Sequence, residues 1–191
     1  MAEKAAVFID GGYLNKIKDS SLRIDFKELI NSLASPCTLW RSYYYDCLPY
    51  QSTPPTQAEQ SYTKKVRSFY SILQSFPRLT LRLGKLKFRG MDQSGKPIYI
   101  QKQVDLMLGL DIASVCTTRV VDMIVLVTGD GDLLPAVKAA KDAGVIVKLV
   151  HGCDVQDPQH GLIHRYDRSL WQEADERQAV GDSFFQQFLR P

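Results

Sequence analysis

Short apolar runs alternate with helical patterns along this chain of 191 residues. The segments 7–9, 38–46, 79–83, 121–127 and 145–150 are apolar, rich in aromatic residues or strictly alternating, as β-strands are. Segments with apolar residues three and four positions apart, which predict helices, lie at 25–33, 58–76, 104–116 and 133–143. Strands that alternate with helices form βαβ units. We therefore expect an α/β fold with a central, mostly parallel sheet of about five strands flanked by helices.

The chain is expected to form a single domain. Its length suits one large domain better than two small ones, and it contains no internal repeat and no low-complexity linker. The pattern weakens after the fifth predicted strand and ends in an amphipathic segment with Phe184, Phe185 and Phe188. We expect one domain over residues 1–168 and a C-terminal helical tail over 169–191 that packs on it. A contact between the subunits of a homo-oligomer is the alternative role for this tail.

Nothing in the chain is typical of a secreted or membrane-spanning protein. The apolar run that follows Lys4 is too short for the core of a signal peptide, and the run at 120–127 is broken by Asp122 and lacks transmembrane length. The four cysteines form no Cys-x-x-Cys pair, which disfavours a disulfide framework and a cysteine-rich zinc site. The expected location is the cytoplasm, with reduced thiols and no membrane partner.

Acidic residues follow two of the predicted strands. Asp10 follows the first strand, and Asp130 and Asp132 follow the fourth, while Asp105 opens a helix that can begin at the same edge. Open α/β sheets bind their ligands beyond the carboxyl ends of the strands. Four carboxylates at one edge would repel one another unless a divalent cation neutralised them, and Mg²⁺ and Mn²⁺ prefer oxygen ligands that they share with phosphate. The pattern therefore predicts a metal site suited to phosphoryl transfer.

Each acid also has a purely structural interpretation. Asp132 can cap the helix that begins at Leu133, Asp105 gains from the dipole of its own helix, and Asp10 fits a turn. Asp111 lies six residues after Asp105 and is turned roughly 120° away from it on an ideal helix. A structural role therefore suits Asp111 better than direct coordination of a shared ion.

Several motifs in this chain resemble those of the NYN-domain family. They are Phe-Ile-Asp-Gly-Gly-Tyr at 8–13, Lys-Gln-Val-Asp at 102–105 with Asp111, Thr-Gly-Asp-Gly-Asp-Leu-Leu-Pro at 128–135 and Ala-Gly-Val at 143–145. The match runs in order from about residue 4 to 150, and the tail after Ser169 is similar to the closing helix of the family. The motif at 128–135 is the most specific of them. NYN domains belong to the PIN-like superfamily of metal-dependent nucleases.

The resemblance implies a PIN-like, Rossmann-like domain that holds one or two Mg²⁺ or Mn²⁺ ions. The ligands and catalytic residues it implies are Asp10, Asp105, Asp130 and Asp132, with Asp111 as a weaker candidate ligand. It also implies nucleic acid as the partner, with RNA favoured over DNA.

Three further residues are expected beside the metal ligands: Tyr13, Asn15 and Thr128. Many members of the family carry Asn three residues after the first acid, where this chain has Tyr13, and Asn15 is the nearest asparagine. Lys102 matches a basic position of the family and is expected to reach a phosphate.

The net charge of +3 is unevenly distributed along the chain. Residues 64–103 contain ten Lys and Arg and a single acid, Asp92, so this stretch carries +9 and the remainder carries −6. A basic stretch beside an acidic edge suits an enzyme that cleaves a polyanion, because cations bind the phosphate backbone. The bases expected to bind nucleic acid are Lys64, Lys65, Arg67, Lys85, Lys87, Arg89 and Lys102.

Aromatic residues interleave with these bases, at Phe69, Tyr70, Phe88 and Tyr99. They fit either the core of the domain, which is favoured, or a platform on which unpaired bases stack.

We expect a metal-dependent ribonuclease, with endonuclease action favoured, that hydrolyses RNA phosphodiester bonds with a water activated by Mg²⁺ or Mn²⁺. The alternative is a catalytically weak module that keeps the fold and binds nucleic acid, which Tyr13 in place of Asn favours. A phosphatase acting through Asp130 and Asp132 fits less well, because phosphatases with an Asp-x-Asp nucleophile usually carry it after the first strand.

Overall fold

The computed structural model describes residues 2–92, 94, 97–157 and 161–190. Its strands are β1 (Lys4–Asp10), β2 (Thr38–Cys47), β3 (Leu79–Met91), β4 (Pro97–Lys102), β5 (Met123–Val127), β6 (Ile146–Gly152), β7 (Val155–Asp157), β8 (Gly161–Ile163) and β9 (Glu176–Val180). Its α-helices are α1 (Gly11–Ile17), α2 (Phe26–Ala34), α3 (Gln57–Gln74), α4 (Val104–Thr117), α5 (Leu134–Asp142), α6 (Arg168–Glu173) and α7 (Asp182–Phe185).

Seven of these strands form the central sheet, in the order β4-β3-β2-β1-β5-β6-β9. All neighbours in it are parallel except β3 and β4, which pair antiparallel. The predicted α/β class with a mostly parallel sheet is confirmed, whereas the predicted number of about five strands is wrong. The two additional strands, β4 and β9, lie at the edges of the sheet. An edge strand needs no apolar faces, so the hydrophobic pattern does not mark it.

The central strands are buried on both faces, as expected when helices cover a parallel sheet. Successive side chains point to opposite faces, so β1 contributes Phe8 to one core layer and Val7 and Ile9 to the other. The layer that contains Phe8 packs against α4 and α5, and there the Phe8 ring stacks on Tyr43 with the ring centroids 4.9 Å apart. The opposite layer packs against α1, α2 and α3 around the buried Tyr44.

The segment after residue 168 contributes to both the sheet and the core. β9 pairs parallel with β6 at the end of the sheet. Phe185 is buried in the layer that contains Val7, and Phe184 and Phe188 pack against the same layer. The division of the chain at residue 168 stays a prediction. In the described part of the chain, no helix combines the length and apolar composition needed to cross a membrane.

Candidate functional site

The parallel arrangement of the central strands brings acidic residues to one edge of the sheet. β1 lies between β2 and β5, and it ends at Asp10, opposite Tyr45 of β2. Its penultimate residue, Ile9, lies opposite Val127, the last residue of β5. The acids that follow β5 therefore emerge at the same edge as Asp10.

Asp10 is the most buried of the predicted metal ligands. It caps α1, and its Oδ1 accepts a hydrogen bond from the backbone N–H of Tyr13 at 3.0 Å. Burial raises the pKa of Asp10 from 3.8 to about 6, and the negative charge of Asp105 adds to this increase, while the Tyr13 hydrogen bond opposes it. Holding Asp10 ionised at this position therefore costs free energy.

The other three predicted ligands lie around the start of two helices. Asp130 accepts the backbone N–H of Asp132 at 3.0 Å and so caps the short 3₁₀ turn at Gly131–Leu133. Asp105 lies in the first turn of α4. Burial raises the pKa of Asp105, and the charges of Asp130 and Asp132 raise it further. The charge of Asp105 thus acts on Asp10, and the charges of Asp130 and Asp132 act on Asp105.

Asp46 is an acid of this edge that the sequence reasoning missed. It lies near the carboxyl end of β2, is half-buried, and its charge contributes to the raised pKa of Asp10. Burial raises the pKa of Asp46 as well. Its position next to a strand end could have identified Asp46 as an acid of this edge. However, Asp46 follows three tyrosines, which mark the segment as a buried strand.

Asp111 is held by partners on β2 and β3. Both its carboxylate oxygens accept hydrogen bonds from the Arg82 guanidinium, at 2.9 and 3.1 Å, and Oδ2 also accepts the Tyr45 hydroxyl at 2.9 Å. The structure gives Asp111 a place in a network that connects α4 to β2 and β3. Its assignment as a metal ligand stays a prediction.

Tyr13 lies beside the acids but directs its hydroxyl elsewhere. The hydroxyl donates a hydrogen bond to the carbonyl of Arg165 at 2.6 Å and accepts one from the N–H of Gly152 at 3.0 Å. A Cβ atom at Gly129 would overlap the Tyr13 ring and the Arg165 carbonyl, so only glycine fits at this position of the motif. Tyr13 therefore connects α1 to the end of β6 and to the segment before α6.

The other two residues expected beside the ligands differ in environment. Thr128 is fully buried, and its Oγ1 accepts the backbone N–H of Asp130 at 3.2 Å, so it orients the segment that carries the acids. Asn15 is exposed on α1.

The predicted nucleic-acid-binding bases are exposed, and several of them project from the acidic edge. β3 pairs with β2 as far as Gly84, opposite Cys47, and then continues past the end of β2. Beyond Gly84 it pairs with β4 as an antiparallel ribbon, in which Lys85 lies opposite Lys102. We call residues 85–91 and 97–102 the basic ribbon. The exposed bases of the ribbon and of α3 are Lys85, Lys87, Arg89, Lys102, Lys64, Lys65 and Arg67.

The donor set at this edge consists only of carboxylates, which suits a hard divalent cation. Across the described residues, no group of three or more His, Cys, Asp or Glu side chains forms a metal-holding cluster. The chemistry of the donors therefore fits Mg²⁺ or Mn²⁺, although the carboxylates do not form a complete metal site with one another.

A family model of the NYN domain matches residues 4–164, so the chain belongs to the NYN-domain family. Members of this family are in general nucleases with the PIN-like fold, they typically use divalent metals, and membership implies nucleic-acid binding. The resemblance expected from the motifs is confirmed. No curated protein matches the chain.

Proposed function

We propose that this chain is a metal-dependent ribonuclease that hydrolyses RNA phosphodiester bonds, with endonuclease action. One observation carries the proposal. Asp10 and the acids that follow β5 emerge at one edge of the sheet, Asp105 is electrostatically coupled to Asp10 and to Asp130 and Asp132, and the basic ribbon projects from the same edge. Carboxyl groups whose pKa values are raised by burial and by neighbouring acids, as those of Asp10 and Asp105 are, are typical of a functional site.

The four carboxylates would hold one or two Mg²⁺ or Mn²⁺ ions, which when bound supply a Lewis acid for the phosphate and lower the pKa of water. Asp10 stays partly protonated near neutral pH without a cation, because burial and Asp105 disfavour its charge. Its hydrogen bond from Tyr13 fixes the direction of the carboxylate at the end of β1. Thr128 fixes the backbone before Asp130 in the same way.

The bases of the ribbon would hold the RNA backbone against this edge. Lys102 is the last residue of β4, and α4, whose first turn carries Asp105, begins two residues later. Lys102 can therefore contact a phosphate next to the one that is cleaved. Lys85 lies opposite Lys102 across the ribbon. Contacts of this kind position a strand without reading its sequence.

The test is a cleavage assay of the purified full chain with labelled RNA in Mn²⁺ or Mg²⁺ and in EDTA. We expect cleavage with metal only, and a loss of at least about 100-fold in Asp130→Asn, as is common when a charge-stabilising group is removed from an active site. Asp142→Asn, which removes an exposed carboxylate at the end of α5, is the matched control and should cut as the wild type does. The proposal fails if no metal supports cleavage or if Asp130→Asn cuts as well as the wild type.

A second candidate is a nucleic-acid-binding module with little catalysis. The position of Tyr13 favours it, because the Tyr13 hydroxyl bonds to two backbone groups and offers the acids no polar contact. Binding of RNA that survives EDTA, together with no cleavage under any metal, would select this candidate.

A further inference from the structure

A cavity of about 870 Å³ lies beside the acidic edge. It is bordered by the segment after α1, by α3 and by the basic ribbon, and Asp46 at the end of β2 belongs to its lining. The charge of Asp46 also acts on Asp10. Asp46 therefore belongs both to the acidic edge and to the lining of the cavity. Its volume is in the range of about 300–1,000 Å³ that is usual for ligand pockets.

Aromatic rings form one wall of this cavity. Tyr50 follows β2 and lies against Tyr99 of the ribbon, with ring centroids 4.8 Å apart and planes 31° apart. Tyr62 on α3 lines the cavity too and is 60% exposed. These rings differ from Tyr70, which is buried in the core and donates its hydroxyl to the Cys47 carbonyl. Exposed tyrosine rings in a cavity offer faces on which a planar ligand can stack.

Cations outnumber acids around the cavity. Its basic residues are Lys18, Arg23, Lys65 and Arg190, and its acidic residues are Asp46 and Glu59. The Glu59 carboxylate accepts the backbone N–H of Thr56 at 2.7 Å and the Ser52 hydroxyl at 2.6 Å, so it serves the start of α3. The charge that remains for a ligand is positive, which suits phosphate groups.

We propose that this cavity binds an unpaired base of a single-stranded nucleic acid whose backbone crosses the acidic edge. The inference rests on the proposed function and adds a base-binding subsite to it. A base that is stacked in a duplex cannot enter this cavity. The ring of Tyr50, which packs against Tyr99, provides the stacking face, and Lys18 and Lys65 hold the adjoining phosphates. The same cavity therefore selects single strands over duplexes.

The first test measures binding in EDTA, so that no cleavage occurs. Anisotropy of a labelled single-stranded RNA of about ten nucleotides is compared with that of an abasic strand of the same length, the blunt duplex and a mononucleotide. The variants are Tyr50→Ala, Tyr62→Ala and Tyr50→Phe, with Lys138→Ala as a control for lost charge on α5, which packs on the opposite face of the sheet. Thermal melting verifies that each variant folds.

We expect Tyr50→Ala to weaken binding of the single strand about tenfold or more, because stacking on one ring is removed. Tyr62→Ala should also weaken it, while Tyr50→Phe keeps the ring and should stay within about twofold of the wild type, as should Lys138→Ala. The abasic strand should bind weakly to all variants alike. The inference is overturned if Tyr50→Ala binds like the wild type, or if the abasic strand, the duplex or the mononucleotide binds the wild type as tightly as the single strand does.

The second measurement separates this inference from the proposed function. Cleavage in Mn²⁺ is followed for the wild type and for Tyr50→Ala. If the protein binds single strands through Tyr50 but cuts no RNA, the cavity inference stands and the proposed nuclease activity is refuted. If the protein cuts RNA but Tyr50→Ala changes neither binding nor KM, the proposed nuclease activity stands and the cavity inference is refuted.

Discussion

Replacing Asp10 by asparagine is expected to stabilise the metal-free protein at neutral pH. The folded protein raises the pKa of this carboxyl from 3.8 to about 6 by burying it and placing it near Asp105, so its ionised form is less favourable in the folded chain than in the unfolded one. Asparagine carries no charge, and its amide oxygen can still accept the Tyr13 N–H and cap α1. The substitution therefore removes the electrostatic cost and keeps the cap.

The magnitude follows from the difference in pKa. Because the folded-state pKa is higher than the unfolded one, the folded chain binds the proton more tightly, and stability is lost as the pH rises. The loss begins near pH 4, grows up to about pH 6 and is then constant, at about 3 kcal/mol for a difference of this size. Below pH 4 both states are protonated and Asp10 has no such cost. Asp10→Asn should therefore be more stable than the wild type by about 2–3 kcal/mol at pH 7, and by almost nothing at pH 3.5.

Urea denaturation in EDTA, repeated between pH 3.5 and pH 8, measures this difference. Asp142→Asn is the control, because Asp142 is exposed at the end of α5 and should give the wild-type stability at every pH. The reasoning is refuted if Asp10→Asn is no more stable than the wild type at pH 7. It is equally refuted if the gain is as large at pH 3.5 as at pH 7, since the cause would then not be the charge.

Three further predictions concern the surroundings of the site. Tyr13→Phe removes the hydroxyl that bonds to the Arg165 carbonyl, and it should lower the free energy of unfolding by about 1–3 kcal/mol in urea denaturation; an unchanged value would contradict the role of this hydroxyl. Gly129→Ala places a methyl group against the Tyr13 ring and should lower the free energy of unfolding by about 1–3 kcal/mol. Calorimetry should show this as a lower melting temperature, and an unchanged melting temperature would show that the backbone adapts freely. The double substitution of Lys85 and Lys87 by alanine should lower the slope of log K against log salt for single-stranded RNA by about 1.4, and an unchanged slope would remove the ribbon from the binding surface.

The core of the fold could be predicted because the central strands obey a simple rule. β1 and β5 are nearly continuous apolar runs, because a parallel strand that is covered on both faces buries the side chains of both faces. β9 obeys no such rule. Of its five residues only Val180 is buried, because the strand pairs with one neighbour at the edge of the sheet. Its place is set by pairing with β6, which local sequence does not encode.

Some residues of the candidate site could likewise be predicted from the sequence, and others could not. The acids that directly follow β1 and β5 could be assigned to one edge from topology alone, since parallel strands share a carboxyl end. Their role as metal ligands stays a prediction. Asp46 ends the predicted strand 38–46 and could have been assigned to the same edge, but its effect on Asp10 depends on the pairing of β1 with β2. Tyr50 could not be placed, since it lies in a loop whose proximity to Tyr99 is created only when the ribbon folds over it.

The pairing of β1 also determines when the acidic edge can exist during synthesis. β1 leaves the ribosome well before its neighbour β5, which is made only after α1 to α4 have been translated. A nascent chain that ends before β5 contains Asp10 and Asp46 but neither Asp130 nor Asp132. Contacts so distant along the chain form late, because the intervening loop has to close first. An enzyme built on this edge would thus remain inactive towards nucleic acid until β5 and the acids that follow it have been made.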